Sequence, residues 1–331
     1  MPGMIRSGVS IRDVAREAGV STATVSRVLT GARGVRPASE AAVRDAASRL
    51  GYQPNALGRS LRRMSTSTVG VVVPRVDNPF FPAIIQRTEQ LLHDHGLEML
   101  LCTSSDDPVL ESEKIGTLLG RQVDGLLVCS CDAKNSQHAL DTAAQRVPVV
   151  QFDQCTDDWN GDFVGVDDAA GIAQSIEHLR RSGRRSIAYI GSRDSNSSGA
   201  SRDRAFRALV PAHRGIRLGD FSSAWGEEAA FSLLRQDDPP DSIVCGNDLI
   251  ALGAIRAAVA MGIPVPRRLA VVGFDDIPMA TMMRPELSTV RQPVADLAQE
   301  AVRMLTDRMS GRSDAAERLL LPTEFIRRAS S

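Results

Sequence analysis

The sequence predicts an α/β protein that carries a small helical module at its N-terminus. Residues 11–50 contain three short amphipathic helical patterns. From Thr68 onward, short runs of β-branched residues alternate with helical segments, a pattern typical of parallel sheets covered by helices on both faces. Because these runs fall into two successive sets, we expect two lobes.

The size and composition of the chain agree with this organisation. Its 331 residues, 43% of them hydrophobic, suffice for two or more cores at roughly 100 to 200 residues per domain. Apolar runs such as Val69–Val73 are much shorter than the ~18 residues of a membrane-spanning helix, and the N-terminus lacks the pattern of an export signal. We therefore expect a cytoplasmic protein that does not interact with membranes.

The charge of the chain is unevenly distributed. Residues 1–63 contain 11 arginines and four acidic residues, a formal charge of +7, whereas the whole chain carries -1. The remaining residues therefore carry -8. A basic N-terminal module on an acidic body is expected where only that end of the protein meets a polyanion.

The first predicted helix follows Ser10, a favourable N-cap residue. Ile11, Val14, Ala15 and Ala18 form one apolar stripe at helical spacing. A glycine at position 19 then ends the helix, because glycine accepts a left-handed backbone without strain.

The second predicted helix begins after a second capping residue, Ser21. Val25, Val28 and Leu29 should face the first helix, which leaves the outer face to Thr22, Ala23, Ser26 and Arg27. A helix with small side chains near its N-terminus can approach base edges in the major groove, and an arginine can reach a guanine or a phosphate. A third helix after Pro37 completes the unit. An ordinary three-helix bundle with a solvated face is the alternative.

The segment GYQPNALGRSLRR, residues 51–63, begins with a helix stop and a proline. It then has one or two potential helical turns, in which leucines alternate with arginines. Isolated helices shorter than ~12 to 15 residues are marginal in water, so this segment should fold only when another surface packs on it. A flexible basic linker is the alternative.

The body separates into predicted strands and amphipathic helical segments such as 84–95, 169–181 and 249–261. The strands of the first set are TVGVVV, LEMLLC, DGLLVC and VPVVQF, and those of the second set are SIAYIG, DSIVCG and LAVVGF.

An enzyme or a metalloprotein is the obvious rival for an α/β chain. The motifs GxxxxGK[ST], HExxH, GxSxG and GxGxxG are absent from the sequence. The five histidines and the five cysteines lack the spacing of metal ligands, and the cysteines lack that of a disulfide framework. We therefore expect a protein that is not an enzyme and that binds neither a cofactor nor a metal.

Six strings carry a resemblance to a known family. They are IRDVAREAGVSTATVSRVL, GYQPNALGRSL, VDNPFF, VDGLL, GNDLIALGAI and VVGFDDIP. In this order and spacing they resemble the LacI/GalR family of bacterial transcription regulators, from Ile11 to Arg328. The resemblance implies a sequence-specific DNA-binding regulator, most simply a repressor, that binds a near-palindromic operator as a homodimer and responds to a small effector.

The resemblance also assigns residues to DNA. Thr22, Ala23 and Arg27 match base-reading positions, and Ser21, Thr24 and Ser26 match phosphate or supporting contacts. Residues 55–62 match the hinge helix, in which Asn55, Leu61 and Arg62 would contact DNA and the leucine would wedge into a minor-groove step. The chain departs from the family pattern at three places: Gly58 in the hinge, Arg36-Pro37 before the third helix, and Thr30 after the second.

The body would resemble a periplasmic binding protein, with two doubly wound lobes and chain crossings near Val164, Pro293 and Leu321. The expected domains are a helix-turn-helix domain at 1–52, a hinge at 53–66, and an effector-binding and dimerisation domain at 67–331. Its N-lobe would span about 67–163 plus 294–320, and its C-lobe about 164–293 plus 321–331.

Ligands of such folds bind beyond the carboxyl ends of the strands. Polar residues after strands and family positions together give the expected effector-binding set: Phe80, Phe81, Asp153, Arg202, Phe221, Asn247, Asp248 and Asp275. Taken singly, each polar residue of the set could instead cap a helix or solvate a loop.

The chemistry of the set suggests the class of ligand. Carboxylates, an amide and an arginine can exchange hydrogen bonds with many hydroxyls, and aromatic side chains offer flat faces to a sugar ring. Purine-binding members of the family carry Arg-x-Thr where this chain has Asn196 and Ser198. We therefore expect a sugar or polyol, with a nucleoside or purine as the alternative. A sugar-binding module of a transport system is the alternative for the whole protein.

Overall fold

A computed structural model describes residues 9–29, 34–52 and 65–331. The chain divides into two compact units, Met1–Thr66 and Ser67–Ser331. Within the described ranges, no helix combines the length and the apolar character that crossing a membrane requires.

The first unit is a three-helix module. Its helices are α1 (Ile11–Glu17), α2 (Thr22–Leu29) and α3 (Pro37–Arg49). One valine from each helix, Val14, Val25 and Val43, is completely buried where the three helices meet. The predicted inward faces of the first two helices are therefore the observed ones.

The turn between α1 and α2 forms as the capping residues predict. The backbone N–H and the hydroxyl of Ser10 donate to the Asp13 carboxylate at 3.0 and 2.6 Å, which fixes the start of α1. Gly19 adopts φ 65°, the left-handed conformation that favours glycine. Ser21 then caps α2, because its hydroxyl accepts a hydrogen bond from the Thr24 N–H at 3.1 Å.

The first lobe of the second unit, the N-lobe, is a six-stranded parallel sheet. Its strands are β1 (Thr68–Val73), β2 (Glu98–Thr103), β3 (Gly125–Val128), β4 (Val149–Phe152), β5 (Asp162–Val166) and β11 (Arg318–Leu321). They lie in the order β11-β5-β4-β3-β1-β2. The helices of this lobe are α4 (Phe80–Asp94), α5 (Pro108–Gly120), α6 (Gln137–Ala144) and α12 (Val294–Met309).

The second lobe, the C-lobe, is a four-stranded parallel sheet. Its strands are β6 (Ile187–Ser192), β7 (Ile216–Gly219), β8 (Ser242–Cys245) and β9 (Ala270–Val272), in the order β7-β6-β8-β9. Its helices are α7 (Asp168–Arg181), α8 (Ser197–Leu209), α9 (Ser223–Leu234), α10 (Asp248–Ala260) and the short α11 (Met279–Met282).

Helices cover both faces of each sheet. In β1, Val71 and Val73 pack with Ile84 of α4, whereas the intervening Val72 packs with Ile115 of α5 in a separate core cluster. Strands buried on both faces are almost continuously apolar, which is why residues 69–73 read as an unbroken run of small and branched residues. The predicted fold class is confirmed: a three-helix head is followed along the chain by an α/β body with two parallel sheets.

The chain passes between the lobes three times. It leaves the N-lobe after β5, which continues to Val166 and so extends the N-lobe sheet beyond the expected limit at residue 163. It returns through β10 (Thr289–Arg291), and leaves again through β12 (Glu324–Ile326), which pairs with β10 in antiparallel fashion.

Two glycines bring the α9 and α10 backbones together behind the C-lobe sheet. A Cβ atom on Gly253 would lie 2.0 Å from the Ser223 carbonyl oxygen, and one on Gly226 would lie 2.1 Å from the Ile250 carbonyl oxygen. Because these obstacles are backbone atoms, the helices could accept a side chain only by moving apart.

Gly253→Ala should therefore lower the free energy of unfolding by about 2 kcal/mol or more, through overpacking. Gly116→Ala is the matched control, because Gly116 also lies inside a helix but a Cβ there meets nothing within 4 Å. The control should be stabilised by up to ~1 kcal/mol through helix propensity. Urea unfolding measures both changes, and equal effects of the two substitutions would contradict the close approach.

Candidate functional site

The predicted DNA-contacting side chains of α2 share one accessible face. Ser21, Thr22, Ala23 and Arg27 are exposed, and Thr24 and Ser26 are half-buried. The opposite side of the helix is buried in the three-helix core. The exposed face thus presents small and hydroxyl side chains near the helix N-terminus and one guanidinium a turn later. Asn55, Leu61 and Arg62, the predicted hinge contacts, lie outside the described residues.

The second candidate site is a cavity between the lobes, here called the interlobe cavity. Its free volume is about 20 Å³. The lining residues are Phe80, Asp153, Gln154, Arg202, Phe221, Asn247, Asp275 and Gln292. Six of the eight expected effector-binding residues therefore meet at one place.

The carboxyl ends of the strands position these residues. Asp153 directly follows β4, and Asn247 follows β8, where its side-chain oxygen caps α10 by accepting a hydrogen bond from the Ile250 N–H at 2.9 Å. Asp275 comes shortly after β9. Asp153 and Asp275 have φ of 62° and 111°, a region of backbone conformation that is unfavourable for residues other than glycine. The backbone is thus turned at both strand ends to direct a carboxylate into the cavity.

Arg202 of α8 is held by several partners. Its Nε donates to Asp168 Oδ1 at 2.7 Å, and its Nη1 donates to the Gly246 carbonyl oxygen at 2.7 Å. The same Nη1 lies 3.8 Å from Asp275 Oδ1. The guanidinium carbon lies 3.7 Å from the centroid of the Phe274 ring, a cation–π contact. Since the side chain is only 3% exposed, its charge acts at short range within the site.

Burial weakens the acidity of the cavity carboxyls. It raises the pKa of Asp153 to about 6 and that of Asp275 to about 7, against the opposing effect of the Arg202 charge. The negative charge of Asp168 adds to the increase in both cases. Burial also raises the pKa of Asp168 itself. One arginine thus only partly compensates three buried acids.

Three polar atoms of the cavity are left without a partner. Among the described residues, no hydrogen bond is made by the buried Asp153 Oδ1, Asn247 Nδ2 or Gln292 Oε1. Buried polar atoms are satisfied in the great majority of cases. The cavity therefore offers two acceptors and one donor to a molecule bound there.

Two residues expected in the site do not line the cavity. Phe81 packs edge-on against Phe80, with ring centroids 5.4 Å apart. Asp248 is completely buried beneath the cavity, where it accepts hydrogen bonds from the Thr289 hydroxyl at 2.5 Å and the Ile277 N–H at 2.8 Å. Both carboxylate oxygens therefore already have partners, and they link β10 to the segment that follows β9.

Three contributors were missed from the sequence. Gln154 follows Asp153 directly, and Gln292 follows β10 at the second chain crossing, where its Nε2 donates to Asp275 Oδ1 at 2.8 Å. The expected crossing near Pro293 was a signal that could have indicated this glutamine. In the sequence, Asp168, the partner of Arg202, can be recognised only as an acidic residue at the start of a helix.

One rim of the cavity is closed by direct contacts between the lobes. The Ser198 hydroxyl donates to the Asp153 carbonyl oxygen at 3.1 Å, and the Asn196 amide donates to Gln154 Oε1. The Ala133 N–H donates to the Ser195 carbonyl oxygen at 2.7 Å. Asn196 and Ser198 are therefore both engaged in this rim.

Two family profiles match the chain. A profile described as bacterial regulatory proteins, lacI family, covers residues 10–55, and one described as a periplasmic binding protein-like domain covers residues 176–331.

Curated relatives span nearly the full length of the chain. Catabolite control protein A from Priestia megaterium is 33% identical over 330 residues, which cover 98% of this chain and 99% of that protein. The HTH-type transcriptional repressor PurR from Pectobacterium carotovorum subsp. carotovorum is 32% identical, with 97% and 96% coverage. The ribose operon repressor of Halalkalibacterium halodurans is 30% identical, with 97% coverage of both chains.

Solved structures also match the chain over nearly its whole length. A Lac repressor dimer bound to operator and the anti-inducer ONPF matches with a TM-score of 0.88 at 26% identity, over 98% of this chain and 99% of that one. A complex of the transcriptional regulator CelR with cellobiose matches with a TM-score of 0.74 at 30% identity, over 98% and 100%.

These relatives are regulators of transcription rather than enzymes. The alternative of a transport module finds no support, because the match at residues 10–55 is to a DNA-binding family and the relatives named above share it over nearly their whole length. The expectation of a regulator is confirmed.

The raised pKa of Asp275 predicts how stability depends on pH. Its value in the folded protein, about 7, lies above the ordinary 3.8, so the folded state binds more protons than the unfolded state between these values. The free energy of unfolding should therefore fall as pH rises from about 4 to 7. Asp275→Asn removes this cost and should raise the free energy of unfolding by about 2 kcal/mol or more at pH 8, and by less at pH 5.

Urea unfolding at the two pH values measures the effect. Asp94→Asn, at the exposed end of α4, is the control and should change stability by less than about 0.5 kcal/mol at either pH. An Asp275→Asn effect of equal size at both pH values would contradict the assignment.

Proposed function

Because the chain belongs to the LacI family of bacterial regulatory proteins, we propose that it is a sequence-specific repressor controlled by a sugar or polyol. It binds a near-palindromic operator as a homodimer through the first unit, and the effector binds in the interlobe cavity of the second. The single observation that supports this most strongly is the convergence of Asp153, Arg202, Asn247 and Asp275 from both lobes on one cavity with unpartnered polar atoms.

The proposed DNA contact is made by α2. Thr22, Ala23 and Arg27 would read base edges in the major groove, and Ser21, Thr24 and Ser26 would contact or support the phosphate backbone. The formal charge of +7 on residues 1–63 favours strong dependence of binding on salt, because each neutralised phosphate releases counterions.

The proposed domains follow the expected boundaries: a helix-turn-helix domain at 1–52, a hinge at 53–66 and an effector-binding and dimerisation domain at 67–331. In the hinge, Asn55, Leu61 and Arg62 would contact DNA, with the leucine as an apolar wedge. Two copies of each, one per subunit, would match two operator half-sites.

The size of the interlobe cavity supports control by movement of the lobes. A free volume of about 20 Å³ is enough for about one water molecule, whereas small-molecule sites usually enclose roughly 300 to 1,000 Å³. An effector must therefore separate or reorient the lobes to enter. Because the effector acts through its difference in affinity between lobe arrangements, effector and operator must change each other's affinity by the same factor. We expect effector binding to release the operator.

The unpartnered atoms favour a polyhydroxylated effector. Each sugar hydroxyl can both donate and accept, so one molecule could satisfy Asp153 Oδ1, Asn247 Nδ2 and Gln292 Oε1 together. Phe80 and Phe221 on the cavity wall supply apolar faces for a sugar ring. Asn196 and Ser198 bind the opposite lobe rather than projecting free polar groups, which makes a purine the weaker candidate.

Replacing Arg27 tests the DNA-contacting face. The full-length protein should enrich a near-palindromic sequence from random duplex DNA, and Arg27→Ala should relax the base preference at one position of each half-site, at a cost of ~1 to 3 kcal/mol. Arg44→Ala, which removes an exposed arginine of α3 paired with Glu40, is the control and should leave the preferred sequence unchanged. Failure of the wild-type protein to enrich any sequence would refute sequence-specific binding.

Replacing Asp275 tests the effector site. Compounds from a panel of sugars, polyols and nucleosides that release the selected operator from the wild-type protein should lose this effect in Asp275→Ala. The reason is that the substitution removes the carboxylate directed into the cavity and the acceptor of the Gln292 amide. Fluorescence anisotropy of a labelled operator measures the response, with Asp94→Ala as the surface control. A normal dose response in Asp275→Ala would place the effector elsewhere.

A further inference from the structure

The charges around the interlobe cavity are unbalanced. Two of its lining residues are acidic, Asp153 and Asp275, and one is basic, Arg202. A third carboxylate, Asp168, lies directly behind the arginine at 2.7 Å. All four side chains are at least nine-tenths buried, so water screens their interactions with a bound molecule only weakly.

Two of the three guanidinium nitrogens of Arg202 are already engaged. Arg202 donates to Asp168 and to the Gly246 carbonyl, lies 3.8 Å from Asp275, and stacks on Phe274. An anionic ligand could recruit Nε or Nη1 only by breaking contacts that hold the site together, and the charge of the guanidinium is already set against three carboxylates. The arginine therefore acts as a structural counter-ion for the protein's own carboxylates, and it leaves no excess positive charge for a phosphate or carboxylate group.

The unpartnered atoms also favour a neutral or cationic ligand over an anionic one. Two of the three, Asp153 Oδ1 and Gln292 Oε1, are acceptors, and Asp153 is 7% exposed. Hydroxyl groups satisfy such acceptors, and an ammonium group does so more fully because it has three donors and no acceptor. The rings of Phe80 and Phe221, one from each lobe, also line the cavity, and aromatic faces attract a cation as well as the C–H face of a sugar.

We propose that the interlobe cavity selects its effector by charge: it accepts neutral and cationic polyhydroxyl compounds, including amino sugars, and it excludes sugar phosphates and sugar acids. This inference rests on the proposed function, in that it assumes the cavity to be the effector site. It adds the property that distinguishes one class of sugar derivative from another.

The test uses the full-length protein at pH 8, above the pKa values of about 6 and 7 of Asp153 and Asp275, and matched sets of compounds. Each set contains a neutral sugar and its amino, phosphate and acid derivatives, for example glucose, glucosamine, glucose 6-phosphate and gluconate, with parallel sets built on other hexoses and pentoses. Thermal shift identifies the sets that contain a ligand, and isothermal titration calorimetry then measures the affinity of each member. We expect binding by neutral or amino members, and anionic members should bind more than about tenfold more weakly.

A variant that changes the charge without changing the cavity wall sharpens the test. Asp168→Asn removes one negative charge behind Arg202 and keeps an oxygen that can accept its hydrogen bond. The ratio of neutral to anionic affinity should fall about fivefold or more in this variant. Asp94→Asn removes a charge from the surface of the same lobe that contributes Asp153, and it should leave the ratio unchanged.

The outcomes separate the two proposals. A sugar phosphate or sugar acid that binds the wild-type protein more tightly than its neutral and amino counterparts overturns charge selection and leaves the proposed function standing. An Asp168→Asn ratio equal to that of the wild-type protein also overturns it. Absence of binding by every set, in a protein that still selects an operator, overturns the effector site and charge selection with it.

Discussion

The position of Arg202 in the second unit is the constraint on which the interlobe cavity depends. Its guanidinium joins Asp168 at the start of α7, the Gly246 carbonyl after β8 and Asp275 after β9. An unpaired buried charge is far more costly than a paired one, so removing this arginine would leave three carboxylates without compensation. One side chain thus makes it possible for several acidic groups to lie together in a buried cavity.

The site is assembled at a cost to the stability of the fold. Asp153 and Asp275 combine positive φ with carboxyls whose pKa values burial raises to about 6 and 7. Three polar atoms of the cavity, including one oxygen of Asp153, have no hydrogen-bond partner among the described residues. Elsewhere in the same unit, helices cover both faces of each sheet with apolar side chains. A ligand could relieve these unfavourable features of the cavity, which explains why binding energy could drive rearrangement of the lobes.

The segments that cross between the lobes are connected directly to the site. Gln292, just after β10, donates to Asp275, and Asp248 beneath the cavity accepts from Thr289 within β10. Next to Asp275, the side chain of Asp276 is paired with Arg291 of β10 and with Arg328 beyond β12. A shift of either cavity carboxylate would therefore be transmitted to the strands that join the lobes. Through these contacts a bound molecule could change the relative position of the lobes, without a separate mechanism at the crossings.

The sequence by itself determined the three-helix head, the α/β class and most of the residues that line the interlobe cavity. The head depends on local signals, namely the caps at Ser10 and Ser21 and the left-handed Gly19, and strands buried on both faces are visible as apolar runs. Tertiary structure decided the rest. Strands such as β5, with an aspartate and a glycine in DFVGV, exist because a distant partner pairs with them. Tertiary structure also decided which residues line the cavity: Gln154 and Gln292 do, whereas Phe81 and Asp248 do not. The reason is that the direction of a side chain at a strand end depends on how the chain crosses between the lobes.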